Sequence, residues 1–302
     1  MIRYAEKFDR DRVFRKEINY IMNFPIGIIA DCFRKDMRSS IETAARLGAN
    51  GVQIYAVKGE VSPEMTPAAR RELRDIVQSN GLVISALCGD LGTGGFAFRE
   101  NNAAKVERSK RIVDLAKELG TDIITTHIGV VPLDSSSERF AVMQQACGEL
   151  ADYAASVGAH FAIETGPEPA AVLKGFLDSI HSSGLGVNLD PANLKMVCDD
   201  DPTIAVYVLK DYIVHTHAKD GVMLYYKDPE IIYGLKQETI VTDNSFAEVP
   251  LGRGSVDFPE YLTALEKVGY KGFLTIEREV GDEPEKDIAD AVAFLKNTMA
   301  VL

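Results

Sequence analysis

From residue 24 onward, short apolar runs alternate with longer stretches of helical spacing. The run IGIIADCF (26–33) reads as a buried strand, and residues 37–47 repeat apolar positions at helical intervals until Gly48 stops them. The same couple then recurs. Strands are predicted at 51–57, 82–89, 122–129, 160–166 and 185–190, each followed by a helix, at 66–78, 101–119, 137–157, 170–181 and 203–210. A seventh strand falls at 213–221, an eighth at 272–280, and a last helix at 285–299. Eight apolar strands alternating with helices that mostly end at glycine describe an α/β protein with a parallel (β/α)8 TIM barrel; an open doubly wound sheet is the competing arrangement.

Two segments depart from this rhythm. Residues 1–22 are charged throughout and are expected to form a short N-terminal extension, leaving 23–302 as one barrel domain. Residues 222–257 are too long for a plain connection and rich in Tyr, Asp and Gly, so they are expected to cover the active site. The 302-residue chain carries 33 Lys and Arg against 45 Asp and Glu, a formal charge of −12 that disfavours nucleic acid and anionic membranes as partners. Cys32, Cys88, Cys147 and Cys198 are scattered without a CxxC pair, which fits a reducing compartment. With no apolar signal region and no run of membrane-spanning length, a cytoplasmic protein is expected.

Chemistry in such barrels gathers at the C-terminal ends of the strands. Strand five ends at Glu164 in AIETG and strand six at Asp190 in VNLDPANL; strand seven carries His217 in HTHAKDG and strand eight Glu277 in LTIERE. Alternation puts Ile213, His215, His217 and Lys219 on one inward face. Three carboxylates converging in a low-dielectric mouth repel one another unless a cation neutralises them, and a divalent metal is the simplest one. An oxygen-rich set with a single imidazole favours Mn²⁺ or Mg²⁺, with Co²⁺ and Zn²⁺ as alternatives.

In the motifs IETG, LDPANL, HTHAKDG and GFLTIERE, in that order, residues 24–300 resemble the xylose-isomerase-like TIM-barrel superfamily of sugar phosphate isomerases and epimerases. The resemblance implies one divalent metal on Glu164, Asp190, His217 and Glu277, with Glu164 and Glu277 doubling as the acid/base pair. It implies proton transfer through an enediolate of a hydroxy-ketone or hydroxy-aldehyde sugar, phosphorylated or free, and a homo-oligomer. Ketohexose 3-epimerases of this superfamily carry a histidine where this chain has Asn193, so a dehydratase or lyase acting on a keto-sugar, keto-inositol or 3-keto-glycoside is the alternative. A barrel that binds sugar without turnover is a further one. Endonuclease IV, of the same superfamily, needs a trinuclear zinc site that five histidines do not assemble here.

Further substrate contacts are expected nearby. His127, at the end of strand four, faces the same mouth and is placed to bond substrate or a metal ligand, or to serve structure alone. Lys219 is suited to steadying a developing oxyanion or an anionic group. Gln53 and Tyr55 share the inward face of strand two, where they either bond sugar hydroxyls or fill the barrel. Asn193, three residues after Asp190, is a further candidate contact. Arg253 is the best basic residue of the cover, and Asp220 is suited to capping the turn that follows it.

Overall fold

The computed structural model describes residues 22–92, 94–238 and 243–302. Apart from Met22, which is buried, the expected N-terminal extension lies outside the described residues. Eight parallel strands form the barrel: β1 (Ile26–Ile29), β2 (Gly51–Tyr55), β3 (Val83–Cys88), β4 (Ile123–Thr126), β5 (His160–Glu164), β6 (Leu185–Leu189), β7 (Ile213–Ala218) and β10 (Leu274–Ile276). They close in the order β1-β10-β7-β6-β5-β4-β3-β2. Two further strands, β8 (Asp220–Met223) and β9 (Phe246–Val249), pair antiparallel outside the barrel.

The long helices are α1 (Met37–Leu47), α2 (Pro67–Ser79), α3 (Arg99–Leu119), α4 (Glu138–Ser156) and α5 (Ala170–Asp178), followed by the short α6 (Pro191–Asn193), then α7 (Pro202–Leu209), the single-turn α8 (Pro229–Ile232), α9 (Phe258–Lys267) and α10 (Pro284–Val301). Their starts follow from local chemistry. Asp36, Thr66, Ser137, Asp201 and Asp257 each cap the first turn through the side chain, and Pro follows directly at Pro67 and Pro202. Among the described residues no helix is long and apolar enough to cross a membrane.

Three differences from the sequence expectation bear on the site. The first strand stops at Ile29, and Ala30–Phe33 turn into a 3-10 helix whose Asp31 carboxylate accepts from the Tyr55 backbone N–H at 3.0 Å. The last strand is only Leu274–Ile276, although the Glu277 N–H still donates to the Ala218 carbonyl and carries the ladder one residue further. Helix α9 has no counterpart in the sequence expectation, although its Asp257 cap, Pro259 and the Gly269 that follows it are all readable signals. The excursion after β7 is a folded device: the β8–β9 hairpin with α8 carried between its strands.

Candidate metal centre and active-site cavity

Parallel register decides which side chains meet inside the barrel. His217 pairs with Thr275, Asn188 with His215, Glu164 with Asn188 and Thr125 with Ala162, so one polar layer faces the axis at this level. At the mouth Glu164, Asp190, His217 and Glu277 are all buried, and each offers a ligand atom within 4.8 Å of the others. His217 Nδ1 is the common point, 2.9 Å from Glu277 Oε2, 3.4 Å from Asp190 Oδ2 and 3.6 Å from Glu164 Oε1.

The motifs IETG and LDPANL build half of this cluster by locking to each other. Thr165 Oγ1 accepts from the Asp190 N–H at 2.8 Å and donates to the Asp190 carbonyl at 2.9 Å. Asp190 Oδ1 caps α6 by accepting from the Asn193 N–H at 2.8 Å, which leaves Oδ2 aimed at His217. Asn193 Nδ2 donates to Glu164 Oε1 at 3.0 Å, and Asn188 Nδ2 to Glu164 Oε2 at 3.2 Å. Gly166, at φ +142°, makes this approach feasible, because a Cβ there would collide with Asn193. Asn193, expected as a substrate contact, thus spends one amide hydrogen on the Glu164 carboxylate.

Gln53, expected to bond sugar hydroxyls or to fill the barrel, is hydrogen-bonded within it. Its Nε2 donates to Thr125 Oγ1 at 3.2 Å, which fixes Oε1 between two imidazoles, 2.9 Å from His215 Nε2 and 3.2 Å from His217 Nε2. Asn188 Nδ2 lies 3.1 Å from the same His217 nitrogen, but an amide nitrogen only donates, so Gln53 Oε1 is the acceptor placed for Nε2–H. His217 therefore presents Nδ1 to the carboxylates. His215, the other inward histidine, also bonds Thr275 Oγ1 at 2.9 Å and lies outside the cluster; burial and the neighbouring His217 hold its pKa well below the usual imidazole range.

Charge is distributed to keep the carboxylates ionised. Burial alone would raise Glu164 and Glu277; His127 with His217 reverses this for Glu164, and Lys219 with His217 for Glu277, so both lie below the ordinary glutamate value. His127 joins the cluster from β4's end, with Nδ1 3.0 Å from Asp90 Oδ2 and Nε2 3.5 Å from Glu164 Oε1. Burial would lower its pKa, but Glu164 and Asp90 outweigh that and hold it at about 9. Lys219, expected as a substrate contact, reaches the mouth among carboxylates. Its Nζ is shared by Glu279 at 3.1 Å, Glu277 at 3.3 Å and Glu248 at 3.9 Å.

Beside the cluster opens a cavity of about 520 Å³. Of the expected site residues, Gln53, Tyr55, His127, Asn193 and Lys219 line it with Glu164, His217 and Glu277, and the cover contributes Ile232, Tyr233, Phe246 and Glu248. Arg253 does not: it is exposed in the turn that follows the hairpin. That turn is held by Asp220, which accepts from the N–H groups of Gly221, Gly252, Gly254 and Val256. Sequence reasoning misses Asp90, Tyr233, Glu248 and Glu279. Asp90 stands just past the third strand and Glu279 two residues after Glu277, so the strand-end rule that finds the four cluster residues reaches both. Tyr233 and Glu248 depend on how the cover folds, for which the sequence carries no periodic signal.

One buried carboxyl beside the site yields a separate expectation. Glu168 Oε2 accepts from the Val131 N–H at 3.0 Å while Oε1 is buried with no partner, and burial pushes its pKa up to about 8. A raised folded-state value means that the stabilisation is complete below the ordinary carboxylate range and is lost as pH rises from there through about 8. Glu168→Gln should therefore be more stable than the parent by on the order of 3 kcal/mol at high pH, with the gap closing toward acid. Denaturant melts near about pH 5.5 and about pH 9 check this; parallel losses in both proteins would refute it.

The residues present fit a divalent cation. Glu277 Oε2 is buried with no hydrogen-bond partner, His217 Nδ1 at 2.9 Å and Lys219 Nζ at 3.3 Å lying beside it as charges only, and three carboxylate oxygens with one imidazole nitrogen form a hard, oxygen-rich donor set. A (β/α)8 barrel with such a cluster at its C-terminal mouth belongs to the class of barrels built around a candidate metal centre. Residues 41–298 match the family model described as xylose isomerase-like TIM barrel, and the chain belongs to that family. It is similar to a xylose isomerase domain protein from Planctomyces limnophilus, at 28% identity and TM-score 0.75 over 91% of this chain and 96% of that one. It also superimposes on a D-psicose 3-epimerase solved in the presence of D-fructose (17% identity, TM-score 0.69, 92% and 100% coverage). A protein described as a probable 3-DHS dehydratase from Bacillus anthracis matches at 15% identity and TM-score 0.68, over 91% and 99% of the two chains. At these identities the last two likenesses establish the fold alone.

Proposed function

We propose that this protein is a divalent-metal-dependent sugar isomerase or epimerase, with Mn²⁺ or Mg²⁺ held by Glu164, Asp190, His217 and Glu277. The observation that carries this reading is the pair of buried glutamates reaching the same imidazole nitrogen from β5 and from the end of β10, with β6 and β7 between them. These four residues would hold a dication that would supply Lewis-acid polarisation of a substrate carbonyl, acidifying the C–H of the adjacent hydroxyl-bearing carbon.

The chain's own groups handle the proton. Glu164 Oε1 is kept ionised by the charged His127 beside it, so it is ready to accept a proton from substrate carbon. Glu277, ionised next to Lys219, serves the other face or the adjacent carbon. Asp90 orients His127 by accepting at Nδ1, and Asn193 and Asn188 hold the Glu164 carboxylate in place. The cover encloses this chemistry with Tyr233, whose ring centroid lies 5.5 Å from that of His127.

The test is solvent deuterium incorporation by the metal-loaded protein across ketoses, aldoses and 3-keto-glycosides, followed by product mass. Metal-dependent exchange at carbon with substrate mass otherwise conserved is expected. A consistent loss of water or aglycone would replace this reading with the dehydratase or lyase alternative, and no exchange with a ligand that demonstrably binds would leave a sugar-binding barrel.

A further inference from the structure

We infer that the cavity selects an uncharged polyhydroxylated substrate, a free sugar, cyclitol or neutral glycoside, and rejects phosphate esters and sugar acids. The inference rests on the sugar-directed reading of the site, and it narrows that reading to one charge class.

Three places where such a barrel could hold an anion are closed by the chain's own carboxylates. The first is Lys219, the one lysine lining the cavity among the described residues, which already has Glu277, Glu279 and Glu248 around its Nζ. The second is the run of backbone N–H groups in the Gly252–Val256 turn, the kind of amide concavity that binds phosphate elsewhere. Here Asp220 fills it, accepting from Gly252 at 3.0 Å, Gly254 at 2.8 Å and Val256 at 3.2 Å. A Cβ at Gly254 would collide with Asp220, so the fit is close. The third is the rim after the seventh and eighth barrel strands, where these folds frequently bind phosphate. In this chain that rim carries Glu248 and Glu279, with Asp282 and Glu283 following before α10. The rim's arginine, Arg278, is taken up by Glu248 at 2.7 Å and Asp287 at 2.8 Å.

The charge balance agrees. Six carboxylates, Asp90, Glu164, Asp190, Glu248, Glu277 and Glu279, line the cavity or its metal cluster. Against them stand a dication, Lys219 and, on the rim, Arg278 paired with Glu248, so carboxylate charge still exceeds the positive charge that faces it. The part of the lining that the cover and the final rim supply is apolar at Ile232, Phe246 and Val280, with Glu279 beside them. A phosphate brought against it would leave water for apolar surface and a carboxylate, and Lys219, the one lysine among the described lining residues, is already shared by three carboxylates.

Paired probes on one carbon skeleton test this by calorimetric binding to the metal-loaded full-length protein: fructose against fructose 1-phosphate and 6-phosphate, inositol against inositol 1-phosphate, and glucose against gluconate. The tightest binder is expected to be neutral and to exceed its charged counterpart by about tenfold or more. Glu279→Lys, which places a cation on that rim, is expected to narrow the gap. A phosphate ester or sugar acid as the tightest ligand of the wild-type protein would overturn the inference. Because the readout is binding, absence of deuterium exchange would refute the isomerase reading without moving this result.

Discussion

Replacing Glu277 with glutamine is expected to cost both the metal and the reaction. The substituted side chain keeps the shape but offers a dication one neutral amide oxygen in place of the anionic carboxylate whose Oε2 lies 2.9 Å from His217 Nδ1. Loss of a general acid/base alone removes about 10²- to 10⁴-fold in rate, and weakened metal binding adds to this. Stability supplies an independent readout. A metal present at about a hundred times its Kd stabilises a protein that binds it only when folded by about 2.7 kcal/mol, so the wild type should melt higher with Mn²⁺ than without, and the variant should not. The metal-free variant should still fold, since Lys219 retains Glu279 and Glu248. Glu164→Gln should behave alike, because Asn193 and Asn188 now hold that carboxylate for the cluster. Normal metal content with normal turnover in both variants would sink the assignment.

Sequence pattern reaches the four candidate ligands because each obeys a rule with a fixed period. Glu164, Asp190, His217 and Glu277 stand at or just past strand ends, and inward alternation in a parallel barrel leaves them nowhere else to point. Helix positions are legible for the same reason, through caps such as Asp36 and stops such as Gly48. What the pattern lacks is partnership. Lys219, Asn193 and Gln53 all reach the mouth as expected, but whether a side chain there meets substrate or another residue depends on shifts of about one ångström set by neighbouring strands. Lys219 illustrates the point, since two of its three carboxylate partners, Glu248 and Glu279, come from the cover and the final rim. The cover itself is recognisable only by its length. Its hairpin sits outside the barrel's alternation, and the Asp220 contacts that pin its base link residues far apart in sequence.

Gln53 carries the other large expectation. Its Oε1 is shared by two buried imidazoles, so Gln53→Leu would leave the Nε2–H groups of His215 and His217 without this acceptor, a loss of about 1–3 kcal/mol for each group left unsatisfied. His215 keeps Thr275 Oγ1 nearby; His217 keeps only the Asn188 amide, whose hydrogen is directed at Glu164. The His217 ring then loses the contact that fixes its tautomer, and Nδ1 is no longer held toward Glu164, Asp190 and Glu277. Removing such a supporting partner typically lowers metal affinity by about 10- to 100-fold. Gln53→Glu separates positioning from packing, because it keeps an acceptor at the same place and lets the Thr125 hydroxyl donate in turn. Metal titration should therefore show weak binding for Gln53→Leu and near-normal binding for Gln53→Glu, with both proteins folded by circular dichroism. Equal metal affinity in the wild type and Gln53→Leu would show that the imidazole holds its aim without Gln53, and that this residue only fills the barrel.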